Sequence, residues 1–270
     1  KAGYYEDRAQ TVTIYNPLST DLSVMRSSML YSGLESIRHN INRKNKRLKF
    51  FEFGKTYHKP DSYHEIKHLS LFVTGNKRQN NWLTKEEPIS FFYMKGMVVS
   101  LLQKLGLQNM HARSTDDTQF AEGIELFYGN KKIGVLGRVD AKTTRNFDIN
   151  QPVLYADLLW SELLEISKTM GNSFQEIPKY PAVRRDFALL LDQNVKFSDI
   201  EKTAYQTDKK LLQELDLFDV YEGDKLPEGK KSYAISFTFQ DFKKTLTDKQ
   251  VDKQMKKLQQ ALEKELNAQL

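Results

Sequence analysis

Ser232-Tyr233-Ala234-Ile235-Ser236-Phe237-Thr238-Phe239-Gln240 alternates small or hydroxylated residues with bulky apolar ones. A period of two marks a strand with one covered face. Tyr233, Ile235, Phe237 and Phe239 need a cover, while Ser232, Ala234, Ser236, Thr238 and Gln240 point the other way. Upstream, residues 215–221 read as a second strand. Glu222-Gly223-Asp224 and Pro227-Glu228-Gly229-Lys230-Lys231 then make a loop rather than a tight turn, with its lysines at the sheet rim. A helix capped by Ser198 and Glu201, burying Ile200, Ala204 and Leu211, follows a first strand at 188–192. Downstream, Thr247 and Gln250 form a capping box, and Leu246 and Val251 occupy the staple positions. Val251, Met255, Leu258, Leu262 and Leu266 trace the buried stripe of that last helix. The order β-α-β-β-α places both helices on one sheet face and leaves the other open. A bare antiparallel face of this kind is a platform for RNA.

The 270 residues suit two domains better than one. Cysteine is absent, which excludes disulfides and cysteine-held metals and fits a reducing compartment. No apolar run reaches the roughly 20 residues of a membrane span, and Lys1-Ala2-Gly3 does not open a signal peptide. These features lead to the expectation of a cytoplasmic chain with no membrane partner, taken from something longer. The net charge of +6 is uneven: residues 178–270 carry +1 and residues 1–177 carry +5. Part of the excess lies in Arg43-Lys44-Asn45-Lys46-Arg47-Leu48-Lys49, a solvated loop or a nucleic-acid contact. The C-terminal unit is close to neutral, so RNA would be read there by shape and stacking more than by bulk charge.

Further upstream, Asn16-Pro17-Leu18-Ser19 is a turn before a helical stretch at 24–30 and Gly33-Leu34. Strands are expected at 50–57 and 69–74, a helix at 91–105, and a hairpin of 124–128 and 133–139 around Gly129-Asn130. A last strand at 153–157 precedes a helix at 158–167. Strands outnumber helices, so this part reads as a mixed, mostly antiparallel sheet with helices packed on it.

Tyr180-Pro181 with Arg185-Asp186, Leu217-Phe218-Asp219-Val220-Tyr221, Gly229-Lys230-Lys231-Ser232, Phe237-Thr238-Phe239-Gln240 and Thr245-Leu246-Thr247-Asp248 carry a resemblance. Together they resemble the ferredoxin-fold anticodon-binding domain that closes the β subunit of bacterial phenylalanyl-tRNA synthetase. Asn16-Pro17-Leu18-Ser19, the run from Met25-Arg26 to Leu30 and Phe51-Glu52-Phe53-Gly54 are similar to that subunit's catalytic-like module. The implied fold class is α+β. A class II synthetase-like mixed antiparallel sheet with helices spans 1–175, and a ferredoxin-like β-α-β-β-α domain spans 176–270, with a linker at 169–179.

An active class II site uses an Arg-x-Glu pair on its strand-loop-strand to clamp ATP. Here Glu52 stands within the strand and the loop reads His58-Lys59-Pro60. Gly134-Val135-Leu136-Gly137-Arg138 likewise has the wrong spacing for the closing glycine-arginine element. The resemblance therefore implies a structural module with no catalytic residues and no bound cofactor. ATP and magnesium would be handled by the α subunit of an α2β2 heterotetramer, and the partners would be that subunit and tRNA(Phe). An apolar face on the module would be the sign of the α contact. For the anticodon, strand geometry joined to the family reading selects Arg184, Arg185, Tyr221, Lys230, Lys231, Ser232 and Ser236. The cations would hold phosphates, Tyr221 would stack, and the serines would read base edges.

Two other readings compete. One is a stand-alone RNA-binding or regulatory protein that borrowed the C-terminal unit. The other is a zinc peptidase, since His64-Glu65-Ile66-Lys67-His68 fits H-E-x-x-H. That motif needs a continuous helix, yet Pro60-Asp61-Ser62 precedes it and a strand pattern follows. Two exposed histidines ahead of a strand are the plainer expectation.

Overall fold

The computed structural model describes residues 11–78, 80–108, 110–170, 177–224 and 226–269. The chain divides into two compact units, Lys1–Ser173 and Phe174–Leu270. Residues 171–176 of the expected linker, and with them the expected boundary, lie outside the described residues.

In the first unit α1 (Leu30–Ile41) leads into the hairpin β1 (Leu48–His58) and β2 (His64–Thr74). A small two-stranded sheet, β3 (Asn76–Arg78) with β4 (Glu87–Pro88), precedes α2 (Phe91–Lys104). Then come β5 (Met110–Ser114), β6 (Phe120–Tyr128), β7 (Lys131–Val139), α3 (Ala141–Asn146), β8 (Val153–Leu159) and α4 (Trp160–Thr169). The main sheet runs β1-β2-β8-β7-β6-β5 and is antiparallel throughout. The expected helix at 24–30 is absent. Val24 bridges to Thr13, and helix begins only at Leu30.

The middle of the sheet is covered on both faces, because successive side chains on β2 and β8 alternate between two separate cores. Leu69, Val73, Leu154, Ala156 and Leu158 pack under Met94, Val98 and Leu102 of α2 and Leu163 and Ile166 of α4. Phe72, Val153 and Tyr155 face α1 through Met29, Leu30, Leu34 and Ile37.

Beyond the reach of α1, that second face turns polar. Asp157 Oδ1 accepts from Ser70 Oγ at 2.9 Å and pairs with His68 Nδ1 at 3.0 Å. With Nδ1 carrying the proton, His68 Nε2 accepts from Thr56 Oγ1 at 2.8 Å, and Thr56 in turn accepts from His58 Nε2 at 2.9 Å. His68 is only 6% exposed, so the expectation of two exposed histidines fails for this one. The H-E-x-x-H residues themselves lie in β2. Residues four apart on a strand are separated by roughly 13 Å, too far to share one zinc ion.

Burial pushes the pKa of His58 below its ordinary 6.5, and the neighbouring His68 and His64 push the same way. A depressed histidine makes the folded state bind fewer protons than the unfolded one. It contributes nothing above pH 6.5 and destabilises as the pH falls below it. The unfolding midpoint should therefore drop between pH 7 and pH 5, and His58→Gln should flatten that drop; an unchanged slope would show that His58 titrates freely.

The second unit contains β9 (Val183–Asp192), α5 (Phe197–Thr207), β10 (Leu212–Tyr221), β11 (Lys230–Phe239) and α6 (Asp248–Leu266). Its sheet order is β10-β11-β9, antiparallel, with Gln269 bridging to Leu190 on the free edge of β9. Both helices contribute to a core with one face of this sheet. Ile200 and Ala204 from α5, and Val251, Met255, Leu258 and Leu262 from α6, enclose Tyr233, Ile235, Phe237 and Phe239. The capping box on α6 forms as expected, Thr247 N donating to Gln250 Oε1 at 3.1 Å. The α5 cap lies two residues earlier than expected. Lys196 holds the cap position, with its backbone N–H bonded to Asp199 Oδ2 at 3.0 Å, and Leu211 falls in the turn after the helix.

Candidate nucleic-acid interface

The face of β9, β10 and β11 turned away from the helices is set by register. Across the central strand, Thr238 lies opposite Arg184 and Glu214, Ser236 opposite Asp186 and Asp216, and Ala234 opposite Ala188 and Asp219. Ser232 lies opposite Leu190 and Tyr221, and Lys230 opposite Asp192. Acidic groups thus outnumber cations in this register. The cations are also engaged: Arg184 Nε meets Asp186 Oδ1 at 3.0 Å, and Lys230 Nζ meets Asp192 Oδ1 at 2.8 Å. A phosphate arriving here would have to displace a carboxylate from each.

One contact organises the middle of this face. The pairing of β10 slips between Leu217 and Asp219, and the extra residue is Phe218, half exposed. A bulge of this kind re-aims a side chain. The Arg184 guanidinium sits 5.3 Å from the Phe218 ring centroid. Arg184 is on β9 and Phe218 on β10, strands roughly 10 Å apart with β11 between them. The pair therefore arches over the central strand, which explains why Ser236 beneath it is only 3% exposed. Tyr221, 43% exposed, lies beside Ser232 on the same face, with its ring against Gly223.

Of the residues selected from the sequence, Arg184, Tyr221, Lys230 and Ser232 come together on this face. Three are placed differently. Lys231 is 6% exposed and points to the helix side, its Nζ 4.6 Å from the Tyr233 centroid. The strand begins at Lys230 rather than after Lys231, and this places Lys231 in step with Tyr233. Arg185 is in step with Phe237 and reaches α6, where Nη2 meets Asp248 Oδ1 at 2.7 Å. Ser236 faces the right way but sits under the arch.

Residues not selected complete the site. Phe218 is the foremost, and its signal was the break that Leu217-Phe218-Asp219 makes in strict alternation. At one end of the sheet Gln240 ties three segments together, bonding Leu211 O at 2.8 Å through its backbone and Tyr180 O at 2.7 Å through its side chain. Lys179, Lys209, Lys210, Lys243, Lys244 and half-exposed Phe242 cluster in sequence around those junctions, all exposed. These lysines are nearer to an RNA-binding composition than the sheet itself.

A second constellation needs a chemical reading. Thr56, His68 and Asp157 are aligned as hydroxyl, base and orienting carboxylate, the geometry of a nucleophilic triad. Thr56 is 1% exposed and already bonded by His58, so its hydroxyl meets no substrate. The neighbouring sheet surface is filled by the chain itself. A Cβ on Gly54 would lie 2.3 Å from Arg26 Nη2 and from Met29 Cε, and one on Gly137 would lie 2.5 Å from the Phe120 ring. Arg26 is locked there by Glu52 Oε1 at 2.7 Å.

Residues 2–160 match the family model described as phenylalanyl tRNA synthetase beta chain CLM domain. The chain belongs to the phenylalanyl-tRNA synthetase β-chain family. Residues 178–270 match a second family model, the ferredoxin-fold anticodon binding domain. Among relatives, the phenylalanine–tRNA ligase beta subunit of Bacteroides thetaiotaomicron is 46% identical over 100% of this chain and 35% of its own length. Those of Porphyromonas gingivalis (39% identical, 99% of this chain, 35% of theirs) and Streptococcus pneumoniae strain R6 (34%, 94%, 32%) also align. The chain thus spans 35% of the length of the first of these β-chain relatives. A pyrrolysyl-tRNA synthetase from Desulfitobacterium hafniense overlays with a TM-score of 0.46 at 14% identity, covering 62% of this chain and 58% of that one. Neither competing reading finds support: both units match a synthetase β chain in order, and the histidine motif is a strand.

Proposed function

We propose that this chain is the C-terminal portion of the β subunit of a cytoplasmic phenylalanine–tRNA ligase, whose second unit docks the anticodon of tRNA(Phe). The observation that carries this reading is the open three-stranded face, with an arginine–aromatic arch at its centre, in a chain of this family. Because the cations on that face are held by carboxylates, recognition rests on stacking and base edges, as the near-neutral charge of this unit requires. A base would stack on Phe218 or Tyr221, beside an Arg184 that Asp186 holds in place. The first unit acts as a scaffold for the catalytic α subunit in an α2β2 assembly. Its sheet carries Arg26 and Met29 packed over Gly54 and Phe120 packed over Gly137. ATP and magnesium then belong to the α subunit, and this chain binds neither.

The test is co-expression with the α subunit followed by binding of tRNA(Phe) and an anticodon-swapped control. The cognate tRNA should bind more tightly. Phe218→Ala should weaken cognate binding roughly ten-fold or more, since stacking one base contributes about 1–3 kcal/mol. Equal affinity for both tRNAs would overturn the reading.

A further inference from the structure

The loop between α1 and β1 carries Arg43, Lys44, Lys46 and Arg47, all exposed. None of the four takes part in an ion pair among the described residues. On the sheet of the second unit, by comparison, Arg184, Arg185 and Lys230 are each matched by an aspartate. Cations that follow a helix are ordinarily explained by its carbonyl end. That accounts for Arg43, whose Nη1 bonds His39 O at 3.1 Å, but not for Lys46 or Arg47, which lie beyond the last turn.

The loop is also a built object. Lys44 adopts a left-handed φ of 68°, and the backbone of Asn45 returns to Asn40 O at 3.1 Å. Gln151 Nε2 holds Lys46 O at 2.7 Å and Thr74 Oγ1 at 2.8 Å. On the other side Gly75, at φ 89°, approaches so closely that a Cβ would lie 2.4 Å from Lys46 O. Gln151 further lines a cavity of about 340 Å³ together with Arg145 and Asn150, beside the loop. Fixing the backbone from both sides removes much of the ordering cost of binding a polyanion.

We propose that this loop is a second RNA contact, a sequence-independent grip on the phosphate backbone of tRNA. The inference rests on the tRNA reading above and supplies the charge term that the anticodon face lacks. Neutralising a phosphate with lysine or arginine releases counterions, so each contact adds to the salt dependence of binding.

The test uses the full-length subunit in its assembled enzyme. Arg43→Gln, Lys46→Gln and Arg47→Gln are combined, and Lys44 is kept because of its φ. A charge-matched control combines Lys253→Gln, Lys256→Gln and Lys257→Gln, three exposed lysines on the outer side of α6. The loop variant should lose on the order of ten-fold in affinity at 0.1 M salt, and its slope of log K against log salt should shrink by about 2–3. The loss should be the same for cognate and anticodon-swapped tRNA, leaving discrimination intact. Unchanged affinity and slope with discrimination preserved would overturn this proposal alone. An equal loss in the α6 control would also overturn it, by assigning the effect to net charge. A wild-type enzyme that does not discriminate the tRNAs would instead overturn the anticodon reading.

Discussion

Gly33→Ala is expected to destabilise the first unit, although alanine is the better helix former. Gly33 lies inside α1, where replacing glycine should gain about 1 kcal/mol from propensity alone. Packing reverses the sign. A Cβ at this position would sit 2.0 Å from Phe72 Cζ and within 2.5 Å of two further ring atoms. The ring is 2% exposed and packed on Tyr155 with centroids 4.8 Å apart, so relieving the clash means pulling it off that contact. Overpacking costs about 1–3 kcal/mol, and a contact this short belongs at the upper end, so a net loss of roughly 2 kcal/mol should lower the first unit's unfolding midpoint by about 5 °C. Adding Phe72→Leu should recover part of the loss, because the shorter side chain vacates the contact. A variant more stable than the wild type, or a double variant whose losses simply add, would show that helix and sheet do not meet here.

The elements most legible in the sequence were those where two independent signals agreed. For β11 these were strict alternation and flanking loops; for α6, a capping box and an apolar stripe. Where one signal stood alone, position slipped. Ser198 has the right chemistry for a cap, but Asp199 can bond the backbone N–H of any residue three before it, and Lys196 took the place. The edge strand β5 was missed because Met110-His111-Ala112-Arg113-Ser114 buries almost nothing and so carries no period. Long-range features were out of reach altogether. Nothing local to Gly33 announces a phenylalanine that is thirty-nine positions away in sequence.

The candidate interface follows the same logic. Tyr221 and Ser232 were placed on the open face by parity, and the register keeps them there. Lys231 was assigned to the loop at the rim, and a strand that starts two residues early moves it into line with the core. Arg184 was right in place but not in partner. Its ring contact with Phe218 depends on a bulge, and a bulge is visible only once two strands are paired. The acidic character of that face was likewise hidden, since Asp186 and Asp192 lie on one strand and Asp216 and Asp219 on another that is not its neighbour.

Asp157→Ala should cost the first unit about 3 kcal/mol. Two side chains bond one oxygen of Asp157, Oδ1, which serves His68 Nδ1 at 3.0 Å and Ser70 Oγ at 2.9 Å. His68 and Ser70 are buried, at 6% and 0% exposure, so neither can turn to water when that oxygen is removed. Each stranded donor costs about 1–3 kcal/mol, and the fault propagates because the Nδ1 proton fixes which way Thr56 and His58 donate. Asp157→Asn is the informative partner. It retains an oxygen at the same place and should keep most of the stability, since geometry rather than charge is what the two donors require. Urea titrations of both variants decide the matter. If asparagine is as damaging as alanine, the carboxylate charge rather than the position of its oxygen is what this cluster needs.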